Sequence, residues 1–274
     1  IGRDGATNSV VYREINPTSG TEYLGFSPGE RSMQAVFYME NQLSWNRRLN
    51  DVHNIGAMVI STIRGNISTP VDNAISLINT LPYRNVSFSG SVDYGYDNRY
   101  LLKFAFGYNG SERFSEKFRW GFFPSLGFAW NVSQEKFFEG LKPIVSNLKF
   151  RATRGLLGND NILDTRFFYL SDVNLGSGDN YTFGLPGESN RFTVPGVSIN
   201  RYANADIRWE VSQQTNLGID LGMINGALTL VADFYDQRRN HIVQERTLPS
   251  NMGLEADVYA NVGNYKSKGF DGEL

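Results

Sequence analysis

Between Ser32 and Asn46 the chain reads S-M-Q-A-V-F-Y-M-E-N-Q-L-S-W-N, and its side chains alternate in character. Met33, Ala35, Phe37, Met39, Leu43 and Trp45 fall on one parity. Ser32, Gln34, Glu40, Gln42, Ser44 and Asn46 fall on the other, with Val36 and Tyr38 as exceptions. Successive side chains of a β-strand face opposite sides of its sheet, so this stretch predicts a strand with one apolar and one polar face. It is also about three times as long as a usual globular strand of five or six residues. Long, alternating strands that end in aromatic residues are what a transmembrane β-barrel requires.

The pattern recurs along the chain. Val86, Phe88, Val92, Tyr94 and Tyr96 share a parity against Asn85, Ser87, Ser89, Ser91 and Asp93. Tyr100, Leu102, Phe104, Phe106 and Tyr108 alternate with Leu101, Lys103, Ala105, Gly107 and Asn109. Leu126, Phe128, Trp130 and Val132 alternate with Gly127, Ala129, Asn131 and Ser133, and Leu217, Ile219 and Leu221 with Asn216, Gly218 and Asp220. Nine strands follow from these patterns, over 32–48, 53–66, 84–96, 99–110, 120–133, 147–157, 207–222, 227–240 and 258–274. Connections alternate in length. The turns at Leu49-Asn50-Asp51-Val52, Asp97-Asn98 and Asn225-Gly226 are short, the last a favoured hairpin dipeptide because both residues tolerate positive φ. The links 67–83, Gly110 to Arg119, 158–206 and 243–257 are long. Short turns on one side and long loops on the other are the asymmetry of outer-membrane barrels. The connection 134–146 is the exception on the short side, and a turn of helix is expected in it before Pro143.

Composition narrows the classes. The 274 residues carry a formal net charge of -2, which excludes a strongly basic nucleic-acid binder. No run approaches the roughly twenty apolar residues of a membrane helix. With 19 Phe, 14 Tyr and 4 Trp, many near predicted strand ends, there is material for an interfacial girdle. There are no cysteines, so neither a disulfide framework nor a thiolate metal site forms. The chain starts at Ile1-Gly2-Arg3 and stops within a strand, and nine is an odd number where single-chain bacterial barrels have even ones. The expectation is a partial barrel over 1–274, without plug domain or closing strands.

The sequence carries no catalytic motif. His53 and His241 are the two histidines, far apart in sequence, and no nucleophile elbow or phosphate-binding loop is present. Asp160, Asp164, Asp172 and Asp179 lie in the longest link and read as solvated carboxylates. No catalytic constellation, metal or cofactor is expected. Binding residues are expected in the same link, 158–206, read as a long extracellular loop. Arg166, Tyr169, Tyr181, Arg191, Asn200, Arg201 and Tyr202 are the candidates, beside Phe167, Phe168, Phe183 and Phe192. Exposed aromatics stack on sugar rings or grip peptide side chains, and Arg and Asn supply hydrogen bonds. The same side chains would serve equally to pack the loop against its neighbours.

Several motifs in order carry a resemblance. They run Leu81-Pro82-Tyr83-Arg84-Asn85, Tyr96-Asp97-Asn98-Arg99-Tyr100, Phe106-Gly107-Tyr108-Asn109-Gly110-Ser111-Glu112-Arg113-Phe114 and Arg119-Trp120-Gly121-Phe122-Phe123-Pro124-Ser125. Ser146-Asn147-Leu148-Lys149-Phe150-Arg151-Ala152, Trp209-Glu210, Gln214-Thr215-Asn216-Leu217-Gly218-Ile219-Asp220 and Asn261-Val262-Gly263 follow. Over 81–274 the chain resembles the SusC/RagA-type TonB-dependent outer-membrane transporters of Bacteroidetes. The resemblance implies a 22-stranded barrel with an N-terminal plug. It also implies energy from TonB through a region outside this chain, a SusD-like surface lipoprotein as lid, and oligosaccharide or peptide cargo. The residues alone leave two other readings open, a passive outer-membrane porin and a soluble β-sandwich that binds glycans.

Overall fold

The two-residue period of the sequence becomes long antiparallel strands in a computed structural model, which describes residues 2–12, 33–69, 81–162, 166–185, 187 and 191–274. Ser32 and Asp164 lie outside the described residues. A two-stranded ribbon, β1 (Gly2–Arg3) with β2 (Val10–Val11), precedes the main sheet. The main sheet is built from β3 (Met33–Leu49), β4 (His53–Thr69), β5 (Tyr83–Tyr96), β6 (Tyr100–Ser111), β7 (Trp120–Asn131) and β8 (Val145–Asn159). A separate hairpin follows, β9 (Asp172–Phe183) with β10 (Phe192–Arg201). The main sheet then resumes with β11 (Glu210–Met223), β12 (Leu228–Arg246) and β13 (Val258–Glu273). Its order is β13-β12-β11-β8-β7-β6-β5-β4-β3, and the sheet does not close on itself. Every predicted wall strand is present.

Local chemistry explains the tight turns. Asn50 and Asp51 join β3 to β4 at φ 49° and 56°, and Asp97 and Asn98 join β5 to β6 at φ 49° and 54°. Asn and Asp tolerate this left-handed region better than other non-glycine residues, and two such residues in succession match the twist of the flanking strands. The third tight connection departs from expectation. It is a 3₁₀ turn over Ile224–Gly226, with positive φ at Ile224 and Gly226 rather than at Asn225 and Gly226. The link 134–146 carries 3₁₀ turns at Val132–Gln134 and Lys136–Leu141, before Pro143 as expected.

Register carries the alternation across the whole sheet. Tyr94, Leu102, Phe128, Ala152, Leu217, Phe234 and Phe270 are successive cross-strand neighbours, and neighbours share a face. Among the described residues nothing covers that face: Phe37, Phe88 and Phe104 are 59%, 42% and 40% exposed. A sandwich would bury them against a second sheet. Buried apolar side chains occur instead at the two ends of the strands. Phe114, Phe123, Phe168, Ile207 and Trp209 form a cluster at the long-loop end, and Val132 and Phe138 are buried at the short-turn end.

The apolar band crosses the sheet obliquely. On β5 its limit toward the long loops is Arg84, and on β12 it is Asp236. Asp236 belongs to the row Val92–Phe104–Leu126–Arg154–Thr215–Asp236–Lys268, so the limit moves from residue 84 to the level of residue 92 across five strand steps. At about 3.3 Å per residue and about 4.8 Å per strand, this is a strand tilt near 45° relative to the band. Tilts of this size are those of barrel walls.

The short-turn edge of the band is aromatic. Tyr96, Tyr100, Trp130 and Phe150 form one continuous ladder with ring centroids 6.3–6.4 Å apart. His53 extends it, with Nδ1 2.8 Å from the Tyr94 hydroxyl. Glu135 ties the ladder to the connection below it. It accepts from the Tyr100 hydroxyl at 2.6 Å, from Trp130 Nε1 at 3.1 Å and from Arg99 at 3.4 Å. Chiefly the Tyr100 hydrogen bond, then that of Trp130, holds the Glu135 carboxyl below its usual range. A carboxylate depressed on folding stabilises the fold above its unfolded value, roughly 4.3, and that contribution is lost as pH falls through the folded value. The stability difference between wild type and Glu135→Gln is therefore expected to stay constant from neutral pH to about 4.3 and to shrink below it. Unfolding curves at a series of pH values measure this. A difference that vanishes already between pH 7 and 5 would contradict the assignment.

Candidate functional site

The polar face of the wall is organised by ion pairs. Arg151 on β8 and Asp233 on β12 stand on either side of Gly218 in one cross-strand row. Because Gly218 has no side chain, the guanidinium passes over it. Arg151 Nη2 reaches Asp233 at 3.0 Å, and Nε and Nη2 grip Asp220 at 3.0 and 2.8 Å. A Cβ at Gly218 would strike Asp233 Oδ1 and lie 2.8 Å from Arg151 Cζ. Elsewhere on this face Lys103 pairs with Asp93 at 3.1 Å, and toward the long loops Gln237 donates to Ser212 at 3.0 Å. A concave bay of about 700 Å³ on this face is lined by Arg48, Asp93, Lys103 and Arg151 together with the small residues Gly56, Gly95, Gly127 and Ala129. Such a surface can hydrogen-bond a polar solute.

At the long-loop end the wall opens. The β7–β8 ladder stops at Ser125↔Gly155, next to Pro124, whose nitrogen has no hydrogen to donate. Beyond that point Phe123 turns its ring onto Gly158, where a Cβ would overlap the ring. Trp209 packs edge-on against Phe123 at 5.3 Å and tilted against Phe114 at 5.1 Å. This aromatic cluster anchors the segment that leads into and out of the β9–β10 hairpin.

The seven expected binding residues separate into two groups. Arg166 donates to the carbonyls of Leu81 and Pro82, pairs with Glu112 at 2.5 Å, and lies over the Phe167 ring. Arg201 is buried, donates Nε to the Leu170 carbonyl at 3.0 Å, and stacks over Phe168 at 5.3 Å. The Tyr202 hydroxyl accepts from the Glu255 amide at 3.1 Å, and Asn200 donates to Asp172 at 3.5 Å. Tyr169 is half-buried beside Phe167. These five fasten the root of the hairpin. Tyr181 and Arg191 are exposed on it, and Tyr181 stands beside the stacked pair Phe183 and Phe192, whose centroids are 5.4 Å apart.

The link 158–206 is thus a structured hairpin on an aromatic root. The signal was present in Tyr181-Thr182-Phe183 and Phe192-Thr193-Val194, two alternating triplets that flank Gly184 and Gly187. Phe168, grouped above with the exposed aromatics, belongs to the buried cluster. The Arg151 network was not anticipated. Its signal was an arginine and two aspartates at polar-parity positions, with a glycine opposite.

A tilted antiparallel wall, apolar on one side and polar with paired charges on the other, defines a segment of a membrane β-barrel. Residues 4–274 match the family described as TonB dependent receptor-like, beta-barrel. The chain belongs to that family, and the SusC/RagA-type resemblance of its motifs is borne out. It is 30% identical over 186 residues to the TonB-dependent receptor SusC of Bacteroides thetaiotaomicron, covering 68% of this chain and 18% of that protein. It is 25% identical over 282 residues to the TonB-dependent receptor P26 of Formosa agariphila, covering 92% of this chain and 27% of the relative. Among solved structures, the RagAB peptide importer in its closed-closed state superposes over 88% of this chain and 27% of that one, with a TM-score of 0.67 at 21% identity. The siderophore receptor PirA from Pseudomonas aeruginosa shares the fold with a TM-score of 0.54 at 11% identity. The chain spans less than a third of the length of SusC, P26 and the RagAB chain, and 39% of PirA.

Proposed function

We propose that this chain is a stretch of the barrel wall of an outer-membrane importer that takes up oligosaccharides or oligopeptides. The apolar face meets lipid and the polar face lines the lumen. The short-turn edge faces the periplasm, and the long-loop edge with the β9–β10 hairpin faces the outside. Energy comes from TonB acting on parts of the receptor beyond this wall, and a SusD-like lipoprotein closes over the hairpin side. The observation that carries the reading is the segregation of paired charges, Arg151 with Asp220 and Asp233 and Lys103 with Asp93, to the face opposite Phe88, Phe104 and Phe128.

Within that reading, cargo touches Tyr181 and Arg191 on the hairpin. Arg166, Tyr169, Asn200, Arg201 and Tyr202 act by holding the hairpin in place. The test is uptake by cells that express the complete receptor. Collapse of the proton gradient is expected to abolish uptake, and Tyr181→Ala with Arg191→Ala to lower it about tenfold or more, since two lost contacts of 1–2 kcal/mol each exceed one decade. Uptake that persists without the gradient would make the barrel a passive pore. Unchanged uptake in the double variant would remove cargo contact from the hairpin.

A further inference from the structure

We infer that the polar face of this wall carries, at the root of the β9–β10 hairpin, a subsite for one ring of a neutral oligosaccharide. The inference rests on the reading of the polar face as a lumen, and it selects sugar from the two cargo classes proposed above. The subsite is a cavity of about 140 Å³ between β8, β11 and β12. Register draws its side chains from three neighbouring rows, Asn159–Glu210, Leu157–Ser212–Arg239 and Gly155–Gln214–Gln237. All three rows share the parity of Arg151, Asp220 and Asp233. The three strands are interior to the sheet, each with a partner strand on both sides. Asn159 ends β8 and Glu210 begins β11, so the cavity sits where the connection that carries the hairpin leaves the wall and rejoins it.

The polar groups of the lining divide into those already satisfied and those that are free. The carboxylate of Glu210 is buried, and it accepts from Asn159 Nδ2 at 3.1 Å and from the Val243 amide at 3.2 Å. The Asn159 carbonyl oxygen accepts in turn from the Asn161 amide at 3.0 Å. Ser212, also buried, accepts from Gln237 Nε2 at 3.0 Å. That bond leaves the serine proton and the Gln237 carbonyl oxygen unused. Gln214 and Arg239 line the cavity exposed, and among the described residues their side chains have no hydrogen-bond or ion-pair partner.

Free donors and free acceptors thus stand side by side. A carboxylate or phosphate needs donors only, and an ammonium needs acceptors only. A hydroxyl is donor and acceptor at once, and vicinal hydroxyls match the paired groups of an amide or the fork of a guanidinium. The charges of Glu210 and Arg239 offset each other, so the cavity suits a neutral guest. Leu157 is the apolar side chain in the lining, 55% exposed, and it offers a surface to the carbon-bound hydrogens of a sugar ring. An apolar peptide side chain would instead leave the amides of Gln214 and Gln237 desolvated and unpaired. Drug-sized guests fill pockets of about 300 Å³ or more, and this one has room for a single ring.

The test applies the complete, detergent-purified receptor to an array of neutral hexose and pentose oligosaccharides and of short peptides. Variants are compared at equal folded fraction. Neutral oligosaccharides are expected to retain the receptor. Gln214→Leu with Gln237→Leu is expected to weaken that retention at least tenfold, at about fivefold per hydrogen bond lost. Arg239→Met, which leaves both glutamines in place, is expected to weaken it about fivefold. Gln213→Leu, adjacent in β11 but on the opposite face, is the control, with no change expected. Retention by peptides alone, retention by neither class, or oligosaccharide retention equal in wild type and both cavity variants would overturn the subsite. If peptides alone bind while uptake still requires the proton gradient, the importer reading stands without this inference. If oligosaccharide retention falls in the cavity variants while uptake ignores the gradient, the importer reading fails and the subsite stands.

Discussion

Phe88→Asp is expected to block assembly of the receptor in the membrane, whereas Ser89→Asp is expected to be tolerated. The two residues are adjacent in β5, and they face opposite ways. Phe88 shares its face with Tyr108 and Phe122, and Ser89 shares its face with Gly107 and Ile60 on the polar side. A charge on the lipid side of a barrel strand costs on the order of 2 kcal/mol within the band, while lumen positions admit charge freely. The phenylalanine also gives up its own contact with acyl chains, which adds roughly another 2 kcal/mol. The loss is measured as the heat-modifiable folded fraction in outer-membrane preparations. Equal effects at the two positions would dissolve the assignment of faces.

Arg151→Ala is expected to be the most damaging single change on the lumen face. It leaves Asp220 and Asp233, both hydrogen-bonded to the same guanidinium, without a counter-charge. Removing one partner of a fully buried pair costs 3–5 kcal/mol. Here the three side chains are 22–30% exposed, and screening reduces the figure to about 2 kcal/mol. Gly218→Ala is expected to act through the same network, because a methyl group there occupies the path of the guanidinium. The decisive comparison is a rescue. Arg151→Met with Asp220→Asn and Asp233→Asn removes all three charges and should restore most of the lost stability, since an uncharged set leaves nothing uncompensated. If the triple variant is no more stable in urea than Arg151→Ala, the cost lies in packing and the electrostatic account is wrong.

How far the sequence disclosed this structure depends on how local each feature is. The wall strands were legible because a period of two is written in adjacent residues, and the Asn50-Asp51 and Asp97-Asn98 turns because their φ preferences belong to the residues themselves. The alternation of β12 predicts an end at 240, and the strand runs to Arg246, past a register irregularity where His241 takes φ 61°. A skipped residue reverses the parity that the reading relied on. The roles of arginines were the least legible. Arg166 bonds to Pro82, 84 residues away, and Arg151 to Asp233, 82 residues away. No local pattern announces such partners, so the contacts that Arg166 and Arg201 make at the hairpin root were not legible.

The claim beneath all of this is that lipid lies against one parity of these strands and water against the other. These 274 residues contain no cysteine, so single cysteines can be placed at each position from 85 to 96 in turn and spin-labelled in a reconstituted receptor freed of any cysteine elsewhere. Collision with oxygen, which dissolves in lipid, is expected to peak at the even positions from 86 to 96. Collision with a water-soluble nickel chelate is expected to peak at the odd ones. Accessibility without a period of two, or nickel access equal at Phe88 and Ser89, would contradict the account.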